Sequence, residues 1–208
     1  MGHKEDANGG TNLFGEDPDV SKRGSKLTVN GYDIREVKSA LQKAIRRGQE
    51  EESMFWAREM GESGLMWSLW NRLKVIAVED VAGMEPMIFV AQASFASTKS
   101  SEPTLFAVRA ALELARAKKD RTADDYLCWI GDKLEIDGDK SAFHPIPDEA
   151  LDLHTPAGRR MGRGPADFFH VGAVLVDPSD SYDTKYLDEQ KQRYPVATKG
   201  ADDDGQSE

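Results

Sequence analysis

The sequence has few of the features that mark secreted or membrane proteins. Its 208 residues include one cysteine, Cys128, so no intramolecular disulfide can form and a reducing compartment is expected. No apolar run approaches the roughly 20 residues that cross a bilayer. The charged, glycine-rich start does not have the apolar segment of a secretory signal. We therefore expect a cytoplasmic protein with no membrane contact.

Sequence motifs of common catalytic sites are also missing. The chain has no GxxxxGK[ST] phosphate-binding loop, no GxGxxG after a strand, no GxSxG, and no HExxH or CxxC spacing. No pair of carboxylates stands out as the acid and base of a catalytic site. The sequence therefore predicts a protein that is not an enzyme and that needs no cofactor.

Basic residues are too few to balance the acidic ones, and the formal net charge is −10. This balance disfavours an electrostatic grip of the whole molecule on nucleic acid or on an anionic membrane. The excess is uneven, because residues 28–131 hold 14 Lys or Arg and 15 Asp or Glu, whereas residues 132–196 hold 8 and 13. The first segment is nearly neutral and can offer a face to partners.

Helical patterning is what the chain has in quantity. Apolar residues recur at three-and-four spacing between capping residues and glycines, as in amphipathic helices. In the first such stretch Asp33 is the predicted N-cap and Gly48 the predicted stop. Its apolar stripe consists of Ile34, Val37, Leu41 and Ile45. Further helices are predicted over residues 50–61, from about 64 to 79, from about 86 to 95, over 103–119 and over 122–131.

Residues 69–95 are the centre of this pattern. Glu79 and Asp80 interrupt the apolar run, Gly83 is the predicted stop, and Pro86 suits the first turn of a new helix. The segment therefore predicts a helix–turn–helix hairpin with the acidic pair at its bend. The pair either caps free N–H groups at the start of the next helix or contacts the basic surface of a partner.

Large and apolar side chains in these helices are expected to fill a core. Trp56, Trp67 and Trp70 are predicted to pack against neighbouring helices, with platforms for base stacking as the alternative. Cys128 lies in an apolar helical pattern and is expected to be a small core residue. Together these patterns predict an all-α fold, with a bundle of five to six helices over residues 28–131.

Helix breakers change the character of the chain from residue 132 onwards. Frequent Pro and Gly predict a loop-rich extension packed on the bundle over residues 132–196. Within it we expect a short helix at 148–151, a single strand at 171–176 and a last turn at 188–193. The two ends, residues 1–27 and 197–208, are predicted to be a disordered arm and a disordered acidic tail.

Two groups of residues in the extension are candidates for a function. The first is a glycine-rich basic segment, GRRMGRG, with Arg159, Arg160 and Arg163. It is either a turn-forming loop or an anion-binding loop that contacts DNA. The second is a set of histidines, His144, His154 and His170. Their spacing is not that of a zinc site, so no metal is expected, and a metal-dependent hydrolase is a weaker alternative.

The segment RLKVIAVEDVAGMEP resembles the C-terminal helical region of the RarA/MgsA replication-associated ATPases, whose eukaryotic relative is the Werner-helicase-interacting protein. The shared features are an Arg-aliphatic run, an Ala-x-Glu-Asp-Val sequence and an acidic residue before proline, here Arg72, Leu73, Ile76, Ala77, Glu79, Asp80, Val81, Glu85 and Pro86. Upstream, ALQKAIRRGQEEESMFWAREM is similar to that family's helix pair. Downstream, the similar positions are Leu153, His154, Gly158, Met161, Gly162 and His170.

In that family this region is a clamp-loader-like helical domain that assembles the ATPase into a tetramer. The resemblance covers about residues 33–195, but the family's nucleotide-binding and lid modules are not in this sequence, and residues 118–121 replace its Pro-Lys-Ser-Asn turn. It implies a helical homo-oligomer without ATPase activity that serves DNA replication or repair, with a separately encoded replication ATPase as a partner. The candidate interaction residues are Glu79, Asp80, His154, Arg159, Arg160, Arg163 and His170.

Overall fold

The computed structural model describes residues 26–196 and shows an all-α protein, as the sequence predicts. The predicted acidic tail, and the predicted arm apart from residues 26 and 27, lie outside this range. The chain divides into two compact units between Gly138 and Asp139. The helices of the first unit within the described range are α1 Ile34–Arg46, α2 Glu50–Glu62, α3 Met66–Glu79, α4 Glu85–Ser97, α5 Pro103–Arg116 and α6 Thr122–Gly131.

Helix α1 has the ends that its sequence predicts. The Asp33 carboxylate accepts the backbone N–H of Arg35 at 2.8 Å, and Gly48 after the helix has a φ of +68°, which favours glycine. The predicted stripe of four aliphatic residues is buried. The stripe meets apolar residues of α2, α3 and α5, so its burial holds α1 in the bundle.

Helices α2 and α5 pack closely because small residues line their contact. Ala57 on α2 and Ala107, Ala110 and Ala111 on α5 have no exposed surface. At Gly61 a Cβ atom would lie 2.6 Å from Thr104 Cγ2. The helix ends at Glu62, one residue beyond the predicted end, and Gly61 allows the two helices to approach.

The core of the first unit is built around α3, whose long aliphatic side chains are fully buried. The three tryptophans of this region differ. Trp70 is buried, and Trp56 packs against the core with edge contacts to two neighbouring aromatic rings, as predicted. Trp67 is 45% exposed and is not a core residue. It follows Met66 at the start of α3, on the side that faces solvent.

Helix α6 differs from the other helices of the first unit because none of its residues is buried. It ends at Gly131, as predicted, and a π-helical turn, Asp132–Ile136, follows directly. Cys128 is exposed, so its predicted place in the core is wrong. The apolar pattern of this helix was expected to face the core of its own chain, whereas it faces outwards.

The second unit consists of short elements separated by loops. They are 3₁₀ turns at Lys140–Ala142 and Asp148–Ala150, helices α7 Pro156–Arg160, α8 Pro165–Asp167 and α9 Lys185–Arg193, and a π-helical turn at Phe168–Gly172. The predicted strand at 171–176 is wrong, because the π-helical turn and a loop occupy it. Aromatic contacts link its parts, including stacked rings of Phe169 and Tyr194 with centroids 5.7 Å apart.

Substituting Gly61 by Ala tests the close approach of α2 and α5. The new Cβ atom meets the Thr104 side chain, so we expect a loss of about 1–3 kcal/mol in unfolding free energy, measured by urea denaturation. Gly131→Ala is the matched control, because a Cβ atom at Gly131 meets nothing within 4 Å. There the substitution is expected to be neutral or to stabilise by about 0.5–1 kcal/mol. Equal effects at the two positions would contradict the close approach.

Candidate functional site

The bend between α3 and α4 contains a cluster of charged side chains from three parts of the chain. Asp80 follows the last residue of α3 and has no exposed surface. Its carboxylate accepts hydrogen bonds from Arg46 Nε at 2.7 Å, Arg121 Nη1 at 2.5 Å and Gln42 Nε2 at 3.1 Å. Glu79 accepts from Arg46 Nη2 and Arg121 Nη1, both at 2.9 Å. We call these five residues the Asp80 hub.

The elements that carry the hub are fixed to one another by further contacts. Arg72 on α3 donates from Nη1 to Gln42 Oε1 at 3.0 Å, which orients the Gln42 amide toward Asp80. The backbone N–H of Asp120 donates to the carbonyl of Asp80 at 3.2 Å, and that of Ala82 to the carbonyl of Lys118 at 2.9 Å. The hub therefore joins α1, the α3–α4 bend and the segment between α5 and α6.

Charged side chains lie at the ends of the helices next to the hub. Lys119 donates from Nζ to the carbonyls of Leu114, Ala115 and Ala117, the free acceptors at the end of α5. Burial lowers the pKa of Lys119, although the nearby charge of Asp80 acts in the other direction. Arg121 also bonds Asp124, in the first turn of α6. The end of α3, the end of α5 and the start of α6 therefore all contact this one group of charged side chains.

Hydrogen bonds keep the Asp80 carboxyl group of the hub ionised. Burial of Asp80 raises the pKa of its carboxyl group, but the hydrogen bonds from Arg46, Arg121 and Gln42 outweigh burial and lower that pKa overall. Hydrogen bonds to Glu79 and Asp80 raise the pKa of Arg121. The carboxylate is therefore held ionised and fully engaged, which makes Asp80 a poor general base.

Glu79 and Asp80 lie together, as predicted, but they do not cap the next helix. No side chain caps α4, and the residue before it is Met84. The partners of both acids are arginines of their own chain, and only Glu79 retains exposed side-chain surface. Neither Arg46 nor Arg121 was predicted as a partner of the acidic pair. The sequence signal for these arginines was the acidic pair itself, because buried carboxylates need cationic partners.

The predicted basic segment of the second unit makes mostly internal contacts. Arg163 forms a bidentate pair with the Asp148 carboxylate at 2.6 Å for both oxygens, and it also bonds the Leu151 carbonyl. Arg159 Nη1 bonds the Leu153 carbonyl at 3.0 Å. Arg160 lies exposed at the end of α7. The segment forms a short helix and a turn rather than a loop, and two of its three guanidinium groups hold their own unit together.

His154 and His170, two of the predicted histidines, have different contact partners in the second unit. His154 Nδ1 lies 3.0 Å from Asp152 Oδ2, and this bond lowers the pKa of Asp152. His170 Nε2 lies 3.1 Å from the carbonyl oxygen of Tyr194. Between residues 26 and 196 no group of three or more His, Cys, Asp or Glu residues is placed to hold a metal ion. The two histidines instead connect segments of the second unit, since the His154 ring also makes an edge contact with Phe168 and His170 reaches Tyr194.

The solvent-facing side of α4 carries a row of apolar residues. Val90, Ala93 and Ser97 point into the core, and Met87 and Phe89 are half-buried against it. On the other side lie Met84 and then Ile88, Ala91 and Phe95, and we call this row the α4 stripe. The exposed fractions of its large members are 67% for Met84, 50% for Ile88 and 68% for Phe95. No charged residue occurs between Pro86 and Thr98.

Two general features of the chain complete this description. None of the helices within the described range has both the length and the apolar character needed to cross a membrane. No protein-family model matches the chain, and no curated protein matches its sequence. The function therefore has to be inferred from the residues of this chain.

Substituting Asp80 by Asn removes the central charge of the hub while keeping its shape. Arg46 and Arg121 then lie partly buried beside a neutral amide, so we expect a loss of about 3 kcal/mol in unfolding free energy near pH 7, measured by urea denaturation. The pKa of Asp80 is lowered in the folded state. Its stabilisation is therefore fully present above the unfolded-state pKa of about 4 and is lost as the pH falls through the folded-state pKa.

The stability difference between the natural chain and Asp80→Asn is accordingly expected to be constant near neutral pH and to shrink below about pH 4. Asp137→Asn is the control, because Asp137 is exposed and lies outside the hub. Its effect is expected to stay within about 0.5 kcal/mol. A difference for Asp80→Asn that persists unchanged into acid would show that the charge of the hub does not stabilise the fold.

Arg163→Lys tests whether this guanidinium holds the second unit together. Lysine cannot form the bidentate pair with Asp148, so we expect faster amide exchange over residues 148–152, corresponding to about 1 kcal/mol because Asp148 is largely exposed. Arg160→Lys is the matched control and is expected to leave exchange unchanged. Equal amide exchange in Arg163→Lys and Arg160→Lys would contradict the structural role of Arg163.

Proposed function

We propose that this protein is a non-catalytic scaffold that binds other protein chains, including further copies of itself. Helix α4 carries the proposal, because it has apolar residues both in the core and on its solvent-facing side. A helix that is apolar all round is typical of a helix that is buried all round. Only one side of α4 is buried within this chain. The α4 stripe is therefore expected to be covered by another chain.

Helix α6 supports the same proposal from a second surface. Tyr126, Leu127 and Trp129 are each at least half exposed, and the rings of Tyr126 and Trp129 lie 5.8 Å apart. Aromatic residues are enriched in protein interfaces and often carry much of their binding energy. Because no residue of α6 is buried in its own chain, its apolar residues gain burial only through a partner.

The charged groups support a structural rather than a catalytic role. The Asp80 hub contains the most buried carboxylate–arginine contacts of the described residues, and its acceptors are engaged by its own cations. Asp80 has no exposed surface that a substrate could touch. The hub is therefore proposed to fix the shape of the bundle, while the uncharged faces bind partners.

The proposed biological setting comes from the resemblance to the RarA/MgsA ATPases. Arg72, Glu79 and Asp80, which carry much of that resemblance, belong to the hub or bond it. They therefore favour the same kind of clamp-loader-like bundle. By extension we propose a cytoplasmic oligomer, a tetramer as in that family, that assists DNA replication or repair by binding a separately encoded ATPase. Protein binding is favoured over DNA binding because Arg159 and Arg163 already bond their own unit.

Sedimentation velocity of the full chain over the micromolar range tests the scaffold proposal. We expect reversible association that strengthens with concentration and persists in high salt, since apolar contacts are not screened by ions whereas surface ion pairs are. A purified ATPase of the resembled family, added in the same experiment, is expected to co-sediment with the chain. A fluorescent single-stranded oligonucleotide at low salt is the control for the DNA alternative and is expected not to bind.

Three results would overturn the scaffold proposal. The first is a monomer at every concentration that also fails to co-sediment with the ATPase. The second is tight, salt-sensitive binding of the oligonucleotide without any protein association, which would favour the DNA-binding alternative. The third is hydrolysis of a nucleotide by the isolated chain, which would make the protein an enzyme.

A further inference from the structure

The α4 stripe has a spacing that suits contact with another helix. Its members follow one another at intervals of four, three and four residues, which keeps them on one face of an α-helix. The distance from Met84 to Phe95 along the helix is about 16 Å. This face lies between Glu85 at its beginning and Lys99 just after its end, and it carries no charge of its own.

We propose that the α4 stripe binds the same stripe of a second copy, with the two α4 helices antiparallel. This inference rests on the scaffold function proposed above and names the surface and the partner. A stripe with intervals of four, three and four is symmetric about its midpoint. In the antiparallel pair Met84 therefore meets Phe95 of the second copy, and Ile88 meets its Ala91. The two-fold axis at the midpoint repeats both contacts on its other side.

Side-chain size favours the antiparallel pair over the parallel one. In the antiparallel arrangement the branched Ile88 faces the small Ala91, so the two stripes can interdigitate near their midpoint. In a parallel pair each residue faces its own copy. Ala91 would then face Ala91 and leave a gap, whereas Phe95 would face Phe95 and hold the helices apart.

Charge favours the same arrangement. Lys99 Nζ lies over the ring of its own Phe95, 5.3 Å from the ring centroid. The antiparallel pair brings that ring to Met84 of the second copy, beside Glu85, so Lys99 and Glu85 of opposite copies approach each other at both ends. A parallel pair would bring Glu85 next to Glu85 and Lys99 next to Lys99. Complementary charge at both ends therefore identifies a second copy as the occupant.

The size of the stripe sets the expected strength of the pair. Three large apolar side chains cover less than the roughly 800 Å² per partner that stable interfaces bury. The dimer is therefore expected to dissociate in the micromolar range. The α6 surface remains available in this dimer for a different partner or for higher assembly.

The first experiment compares two exposed apolar residues by sedimentation velocity. Ile88→Glu places two like charges near the centre of the proposed contact, and we expect the dissociation constant of the dimer to rise by at least about tenfold. Val78→Glu on α3 is the matched control, because Val78 is also exposed but lies outside both the stripe and the α6 surface. It is expected to leave the dimer unchanged. Circular dichroism checks that both variants remain helical.

The second experiment measures the direction of the helices by disulfide formation in a Cys128→Ser background. Met84→Cys and Phe95→Cys chains are each expected to stay uncrosslinked alone and to form a mixed disulfide when combined. Disulfide bonds need Cα atoms within about 7 Å, whereas equal positions of an antiparallel pair lie roughly 16 Å apart. A parallel pair would instead give a crosslink in each chain alone and no mixed disulfide between the two variants.

The outcomes separate this inference from the scaffold function. Loss of association in Ile88→Glu together with the mixed disulfide supports the antiparallel stripe. Association that survives Ile88→Glu overturns the stripe and leaves the scaffold function standing. Crosslinks in the separate chains overturn the antiparallel arrangement. A chain that never associates overturns the inference along with self-association itself.

Discussion

A buried carboxylate is the constraint on which the bundle depends. Asp80 has no contact with solvent, and an ionised carboxylate without partners in that position would cost several kcal/mol. It is held by Arg46 from α1 and by Arg121 from the segment before α6. Because both guanidinium groups must reach the same carboxylate, the hub specifies the arrangement of chain segments as well as stabilising it. Apolar burial alone would tolerate small shifts of the helices, whereas these hydrogen bonds do not.

The hub also determines where the exposed faces of the chain lie. Asp80 closes α3, and the chain between it and Glu85 then redirects into α4, which leaves one side of α4 against the core and the other outside. Arg121 stands at the start of α6 and bonds Asp124 in its first turn, so the hub also anchors the beginning of this otherwise unburied helix. The two apolar surfaces proposed as binding faces are thus both attached to one internal cluster of charges.

Patterns of neighbouring residues predicted most of the fold, but contacts between residues distant in the sequence could not be predicted. Asp33, Gly48 and the stripe of α1 are features of adjacent residues, and so the ends of that helix could be read from the sequence. The packing role of Gly61 could not be predicted because it depends on Thr104, 43 positions later in the printed sequence. The acidic pair could be identified, but its partners could not, because nothing local connects Arg121 with Asp80. Cys128 was misplaced for a related reason, since an apolar pattern does not show whether that face packs against the core of its own chain.

The distribution of charge bears on the proposed assembly. A chain with a net charge of −10 repels its own copies at long range, so association needs a surface where charge is absent and apolar area is concentrated. The segment from Pro86 to Thr98 provides such a surface, while the strongest ion pairs of the first unit are turned inwards at the hub. In the proposed dimer, the net negative charge of the chain would oppose non-specific association, and the uncharged stripe would select one partner geometry.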